Sequence, residues 1–541
     1  MSTLEAHGID RVFGIPGGPI SPFVDATLDS AVELVACQHE TMATYAASGY
    51  ARATGRVGVV CVTSGPGALS ALTGLAAARL DELPLLLLVG EPATTSRGRA
   101  PVQDGSEHGL DLGSVTASLA KRTVLVERSW SIPMQISAAL DMAKRRPAGP
   151  VVVRLPVDVA RAACRPCSVD LVSAPEAAEI PPGIGAEIAR AIRQAKRPAI
   201  LLGGRAYRSG VAGVVRRLAE RTACPVATDL EAKGLFPETH QLSLGVFGVG
   251  GTGRAESYFA SGLDFLLVVG ARLDDTMTGG FSESLRPAAG RVFQLDFAPD
   301  WLGRSYAFDR LICADIGRVL EAAFVESTPC LTSAEPLTPL RAERTRDLGA
   351  APHDPRLVPA ILQRLLPKDT VFVADIGNHL LFAAQGMVFD EPGRFHASLG
   401  LGGMGSGMGT AIGMALGLPD VQVVSICGDG GLLMYGGEIA TCAKLGLNLV
   451  FAVFNDGQWG MVEHGSQRVY GRSHDWRLPP TDITGYARAL GAAAVRVETH
   501  ADLSILQHGW QQRRPLVLDI PVAATVHAEN PRDATLNFKS S

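Results

Sequence analysis

The chain has 541 residues, 47% of them hydrophobic and 19% charged, with 60 glycines and a formal net charge of −5. That length exceeds a single core and fits about three domains, and the glycine-rich, half-apolar composition suits an α/β enzyme and excludes disordered and fibrous classes. With no basic stripe there is no reason to expect nucleic acid as a partner; the run Leu85–Val89 is strand length rather than a membrane span, and nine scattered cysteines suit a reduced, cytoplasmic protein.

Taken in chain order, residues 1–165 alternate helical stretches with short apolar strands around 32–36, 57–62, 84–89 and 150–154. Strands apolar along their whole length belong in a parallel sheet covered on both faces. Polar, Pro-containing sequence from Arg165 to Pro182 reads as a linker. Its Cys164 and Cys167 form a lone CxxC, read as two ordinary thiols because no second pair accompanies it. A second unit, 181–326, carries strands at 198–204, 264–270 and 292–296, and a Ser/Thr/Pro-containing linker follows over 326–339. The third, 352–528, carries strands at 371–375, 421–426, 449–454 and 515–519. The expected fold is therefore α/β, with three doubly wound parallel-sheet domains of similar size.

The third unit holds the most informative motif. The strand 421–426 runs into Cys427-Gly-Asp-Gly-Gly431, and the strand 449–454 ends at Asn455-Asp456. If the two strands are parallel neighbours, Asp429 and Asp456 meet at one carboxyl edge, where open α/β sheets bind ligands. Gly428, Gly430 and Gly431 let a phosphate approach the backbone and the next helix N-terminus. Two hard carboxylates beside it suit Mg²⁺. In the first unit, the strand around 32–36 ends at His39-Glu40, a carboxylate beside apolar surface.

The GDG followed by Asn455-Asp456 resembles the diphosphate anchor of thiamine diphosphate (ThDP) enzymes. Phe13-Gly-Ile-Pro-Gly-Gly-Pro19, His39-Glu40, Gly49–Gly55 and Thr63-Ser-Gly-Pro-Gly67 resemble, in order and spacing, the acetohydroxyacid (acetolactate) synthase branch of that family. The resemblance covers nearly the whole chain. It implies that Glu40 hydrogen-bonds the cofactor's aminopyrimidine and so activates it, with Gln103, Gly18 and Lys121 as further catalytic-site residues and Pro16 beside the cofactor. Asn378, His379, Gly402 and Met404 match the pyrimidine and thiazolium cradle, Met404 as an apolar wedge. It also implies a homodimer or homotetramer with active sites between subunits.

The middle unit contains Gly248–Gly253, formally GxGxxG, but the sequence shows no clean strand before it and no clear helix after it. The wider segment resembles the FAD-binding domain of the same branch, making FAD a candidate structural cofactor with Gly251, Thr252 and Arg272 in its site. Two departures touch the metal site: Gly431 stands where the family has Ser or Ala, and Asp456 where it has a second Asn. Asp remains a hard ligand, so the site is expected to hold, with a backbone carbonyl at Gln458 as third protein ligand. Three more touch the substrate. Thr276 stands where the synthases carry a carboxylate-clamping Arg, Gly465 where they carry a Trp, and about five extra residues including Glu107 and His108 follow Gln103. Glu463 and His464 are candidates for handling the acceptor.

The expected function is a carboligase that decarboxylates a 2-keto acid, with pyruvate first in line, and passes the acyl unit to an aldehyde, ketone or other carbonyl acceptor. A true acetolactate synthase is the runner-up and a non-oxidative 2-keto acid decarboxylase the third reading. A noncatalytic scaffold is opposed by the intact Glu40, Met404 and Asp429.

Overall fold

Three six-stranded sheets, parallel throughout, carry the chain in a computed structural model that describes residues 1–163, 180–286, 290–330, 337 and 348–529. Cys164 and Cys167, and most of both linkers, lie outside the described residues. The first sheet contains β1 (Arg11–Gly14), β2 (Glu33–Ala36), β3 (Gly58–Val62), β4 (Leu85–Glu91), β5 (Arg122–Leu125) and β6 (Pro150–Pro156), in the order β2-β1-β3-β4-β6-β5. The second contains β7 (Pro198–Leu202), β8 (Val226–Thr228), β9 (Ser243–Val246), β10 (Phe265–Val269), β11 (Arg291–Asp296) and β12 (Arg310–Cys313), in the order β12-β11-β10-β7-β8-β9. The third contains β13 (Val371–Ala374), β14 (Phe395–Ala397), β15 (Val423–Gly428), β16 (Leu449–Asn455), β17 (Ala493–Arg496) and β18 (Leu516–Pro521), in the order β14-β13-β15-β16-β18-β17. The first and third sheets thus share one topology.

Each sheet has a switch point, where connections leave a starting strand toward opposite edges and open a crevice at the carboxyl ends. These points fall between β1 and β3, β7 and β10, and β13 and β15. Every position of β3 and β4 is buried, as expected for strands covered by helices on both faces.

The first and third domains are joined by two helices, Glu40–Thr54 and Ser406–Gly417, lying parallel and in backbone contact. Glycine makes this approach possible. A Cβ on Gly49 would lie 2.0 Å from the Thr410 carbonyl oxygen, and one on Gly413 would lie 1.8 Å from that of Ala46. The N-termini of both helices therefore point the same way, toward the carboxyl edges of their sheets.

Candidate active site

The third sheet builds the larger part of the site. β15 and β16 pair in parallel with Gly428 opposite Phe454, so Asp429 and Asp456 leave adjacent strand ends as the motif requires. A cleft of about 260 Å³ opens there, lined by residues that include Asn378, His379, Met404, Gly428, Asp429, Gly430, Gly431, Asp456 and Gln458. The glycines are required by space. A Cβ at Gly430 would sit 2.4 Å from the Trp459 ring, and at Gly428 it would press on His379 at 3.2 Å. Asp429 accepts from the N–H of Gly430 (3.0 Å) and of Gly457 (2.9 Å). Burial, and then the neighbouring Asp456 carboxylate, push its pKa up to about 7; burial also raises that of Asp456. The Gly457–Trp459 turn is braced by the segment 476–478, through Trp459 N–H to the Trp476 carbonyl (3.0 Å) and Leu478 N–H to that of Gly457 (2.8 Å).

Burial pulls the His379 imidazole down to about 4, and its Nε2 has no partner though buried at the cleft. A buried, unpaired ring nitrogen at a cavity wall is costly. His464 turns inward: its Nδ1 lies 3.2 Å from Asn378 Nδ2, its Nε2 lies 2.8 Å from the Ala524 carbonyl, and its ring stacks on His527 at 3.8 Å. Glu463 faces along its helix to Gln467. Gly465 has open space around it.

The first sheet builds a second cluster, at the β1/β3 switch point. A Cβ at Gly67 would meet Glu40 Oε1 at 3.3 Å and Thr63 at 2.9 Å, while one at Gly17, between Pro16 and Gly18, would meet Thr63 at 2.8 Å. Gln103 has a left-handed backbone (φ 61°), packs on Gly65 and accepts from Thr63 Oγ1 (3.3 Å). Glu40, Gln103, Pro16 and Gly18 are therefore gathered around one loop. None of them lines the cleft beside Asp429 of the same chain. Gly402 is exposed at a left-handed turn (φ 69°) two residues before Met404.

Lys121 sits at the end of the helix Ile132–Lys144, where its ammonium donates to the carbonyls of Met142 (2.7 Å), Arg145 (2.7 Å) and Pro147 (3.0 Å); no contact joins it to Glu40 among the described residues. Glu107 and His108 form an exposed surface pair 3.9 Å apart.

Of the residues assigned to FAD, Gly251 and Arg272 make contacts with the protein itself. The glycine loop does have a strand before it, β9, and a helix after it, Arg254–Ala260, contrary to expectation. But β9 is the edge strand, two places from β7 in the order, rather than one of the two strands at the β7/β10 switch point. The Gly251 carbonyl accepts from Gln385 of the third domain (3.1 Å), Thr252 is exposed, and Arg272 is buried against Glu231 and the Leu80 carbonyl. The Thr276 carbonyl accepts from Val249 N–H (3.1 Å).

Asp375, at the end of an apolar strand, borders the cleft from behind Gly431. Wholly buried at the end of β13, it accepts from the N–H of Gly405 (2.8 Å) and Gly407 (3.0 Å), pinning the helix start that follows Met404. Burial pushes its pKa up to about 6. Its Oδ2 would lie 2.8 Å from a Cβ at Gly431, which explains the glycine at that departure from the family pattern. Its signal in the sequence was the same one that marked Glu40, a carboxylate closing an apolar strand.

These features define a thiamine diphosphate enzyme, and comparison with known proteins agrees. Profiles of the thiamine pyrophosphate enzymes match residues 1–112 (N-terminal TPP binding domain), 186–323 (central domain) and 375–520 (C-terminal TPP binding domain). Among curated relatives, the acetolactate synthase of Mycobacterium bovis is 32% identical over 96% of this chain and 87% of its own length. The acetolactate synthase isozyme 3 large subunit of Escherichia coli is 31% identical over 97% and 94%. Similar solved structures include a thiamin diphosphate-dependent enzyme from Mycobacterium smegmatis (TM-score 0.81, 25% identity, 96% of this chain and 98% of that one). Another is benzoylformate decarboxylase from Polynucleobacter necessarius (TM-score 0.85, 21% identity, 98% of each), whose likeness is one of fold. The chain belongs to the acetolactate synthase-like branch of the ThDP-dependent enzymes. No helix among the described residues is long and apolar enough to cross a membrane.

Proposed function

We propose that the enzyme decarboxylates a 2-keto acid and joins the acyl unit to a second carbonyl compound, using ThDP held by Mg²⁺. The observation that carries the reading is the glycine-lined cleft with two carboxylates at neighbouring strand ends and a buried, unpaired His379 nitrogen. Asp429, Asp456 and the Gln458 carbonyl would hold the metal. Among the described residues no group of three or more His, Cys, Asp or Glu side chains converges, so the cofactor's diphosphate oxygens and water are expected to complete the shell. When bound, ThDP supplies a carbon nucleophile and an electron sink. Glu40 holds the proton that activates it, Met404 and Asp375 fix the shape and edge of its seat, and the apolar wall of Ile376, Phe382, Val522 and Val526 excludes water.

Because the Glu40 cluster and the Asp429 cleft belong to separate sheets and Glu40 does not line its own chain's cleft, we assign each active site to two subunits, Glu40 from one and Asp429 from the other. The domain boundaries we propose are 1–165, 181–326 and 352–528.

Two readings of the acceptor stand. A second 2-keto acid, making the enzyme an acetolactate synthase, is the better supported by the curated relatives. An uncharged aldehyde or ketone is supported by the cleft lining, which contains no Lys or Arg, and by Thr276 and Gly465, since a lost guanidinium removes a carboxylate clamp. Carbon-labelled pyruvate with ThDP and Mg²⁺, followed by NMR with and without aldehyde and ketone acceptors, separates them. Acetolactate from pyruvate alone establishes the first; a mixed acyloin only with added acceptor establishes the second; no turnover of any 2-keto acid refutes both.

A further inference from the structure

We infer that the middle domain takes no dinucleotide, because its switch-point crevice is occupied by a turn of the first domain, Leu80–Glu82, held by Arg205 and Arg272. This inference stands independently of the carboligase reading.

The second sheet has the strand order in which a dinucleotide lies across the β7/β10 crevice, with its diphosphate on the first N–H groups after β7. Here those donors are already used. Gly203 N–H donates to the Val269 carbonyl (2.9 Å), Gly204 N–H to Asp229 Oδ2 (3.2 Å) and Arg205 N–H to the Gly270 carbonyl (2.9 Å). The loops after β7 and β10 are in backbone contact: a Cβ at Gly203 would lie 2.3 Å from Ala271 Cα, and one at Gly270 would lie 2.4 Å from Ala206 N.

The space outside them is filled by charge that is already neutralised. Arg205 has no solvent exposure. Its guanidinium forks onto Glu82, bonds Asp296 Oδ2 at 3.1 Å and lies over the Trp301 ring at 5.1 Å. Arg208 donates to Glu82 Oε2 at 3.0 Å, and Arg272 reaches Glu231 and the Leu80 carbonyl. A diphosphate entering here would find three guanidiniums with carboxylate partners. To take one it would strand Glu82, Glu231 or Asp296, whose side chains are at most 7% exposed, and an uncompensated buried charge is strongly unfavourable.

The same turn reaches the third domain. Asp81 accepts from Arg52 (2.9 Å), Ser398 Oγ (2.6 Å) and Gly400 N–H (2.9 Å). The crevice has thus become a joint of three domains, leading directly into the loop that carries Gly402 and Met404.

The test uses the full chain with ThDP and Mg²⁺. Protein purified without added flavin is denatured and its supernatant examined for absorbance near 450 nm, and the native protein is titrated calorimetrically with FAD, ADP and NAD in turn. The expected result is no released flavin and no saturable heat with any of the three up to about 1 mM, a range that detects affinities worth roughly 4 kcal/mol or more. Stoichiometric flavin in the supernatant, or saturable binding of any of the three probes within that range, would overturn the inference.

Discussion

Adding one methyl group to the glycine contacts between the first and third domains tests the packing that aligns the two halves of the site. In Gly413→Ala the new Cβ would lie 1.8 Å from the Ala46 oxygen, 2.6 Å from Tyr50 N and 2.7 Å from the Ala46 carbonyl carbon, all backbone atoms that no rotamer change can move. Restoring ordinary contact at about 3.4 Å means separating the two helices by roughly 1.6 Å (3.4 − 1.8), through an interface where Met42, Tyr45, Ala46, Met408 and Ile412 are almost wholly buried. Overpacking of this kind costs about 1–3 kcal/mol or more, and a gap of that size forfeits much of the dispersion between the faces. Gly465→Ala is the matched control: it sits in the helix Gly460–Tyr470 with nothing within 4 Å of its Cβ, so helix propensity alone stabilises by about 0.5–1 kcal/mol. Urea midpoints followed by circular dichroism should fall for the first variant and hold or rise for the second. A Gly413→Ala protein with the native midpoint would refute the helix contact and the alignment built on it.

Other substitutions read the site and its surroundings. Glu40→Gln should bind ThDP normally yet lose about 10²–10⁴-fold in turnover, as expected for a proton-handling group; unchanged turnover in a steady-state assay contradicts its role. Asp456→Ala should weaken Mg²⁺-dependent ThDP binding at least tenfold by fluorescence titration, and equal affinity would remove it from the metal site. Lys121→Met leaves three carbonyls without their donor, so thermal stability should drop by about 1–3 kcal/mol while turnover per folded enzyme stays native; a specific loss of turnover would return Lys121 to the catalytic set. His396 is buried and held near pKa 3, by burial first and Arg52 second. The unfolded imidazole takes its proton near 6.5 while the native one does not, so this residue's contribution is present above that pH and is lost as pH falls toward 3, at up to about 1.4 kcal/mol per pH unit. His396→Gln should flatten that limb of the stability curve, and an unchanged slope would contradict the burial argument.

Central strands were legible in the sequence because a covered parallel strand is apolar along most of its length, as in β3, β4, β15 and β16. Five of the strands it did not reveal, β5, β9, β12, β14 and β17, lie at or next to sheet edges and have only three or four residues, several half-exposed and some opening on Arg. Asp429, Asp456 and Glu40 could be read because a strand end plus glycine is a local pattern. Trp459 against Gly430, and Arg205 against Glu82, meet only after distant segments pack. Lys121 carried no local signal of its own, and its three carbonyl partners come from a helix end that periodicity does not place near it.

We propose that one active site needs Glu40 from one subunit and Asp429 with Asp456 from another. Mixing two inactive proteins, Glu40→Gln and Asp456→Ala, under conditions that exchange subunits tests it most directly. Random pairing makes about half of all dimers mixed, each with one fully native site, so activity should recover to about a quarter of the native value. If subunit exchange is verified and the mixture stays inactive, the site is completed within a single chain.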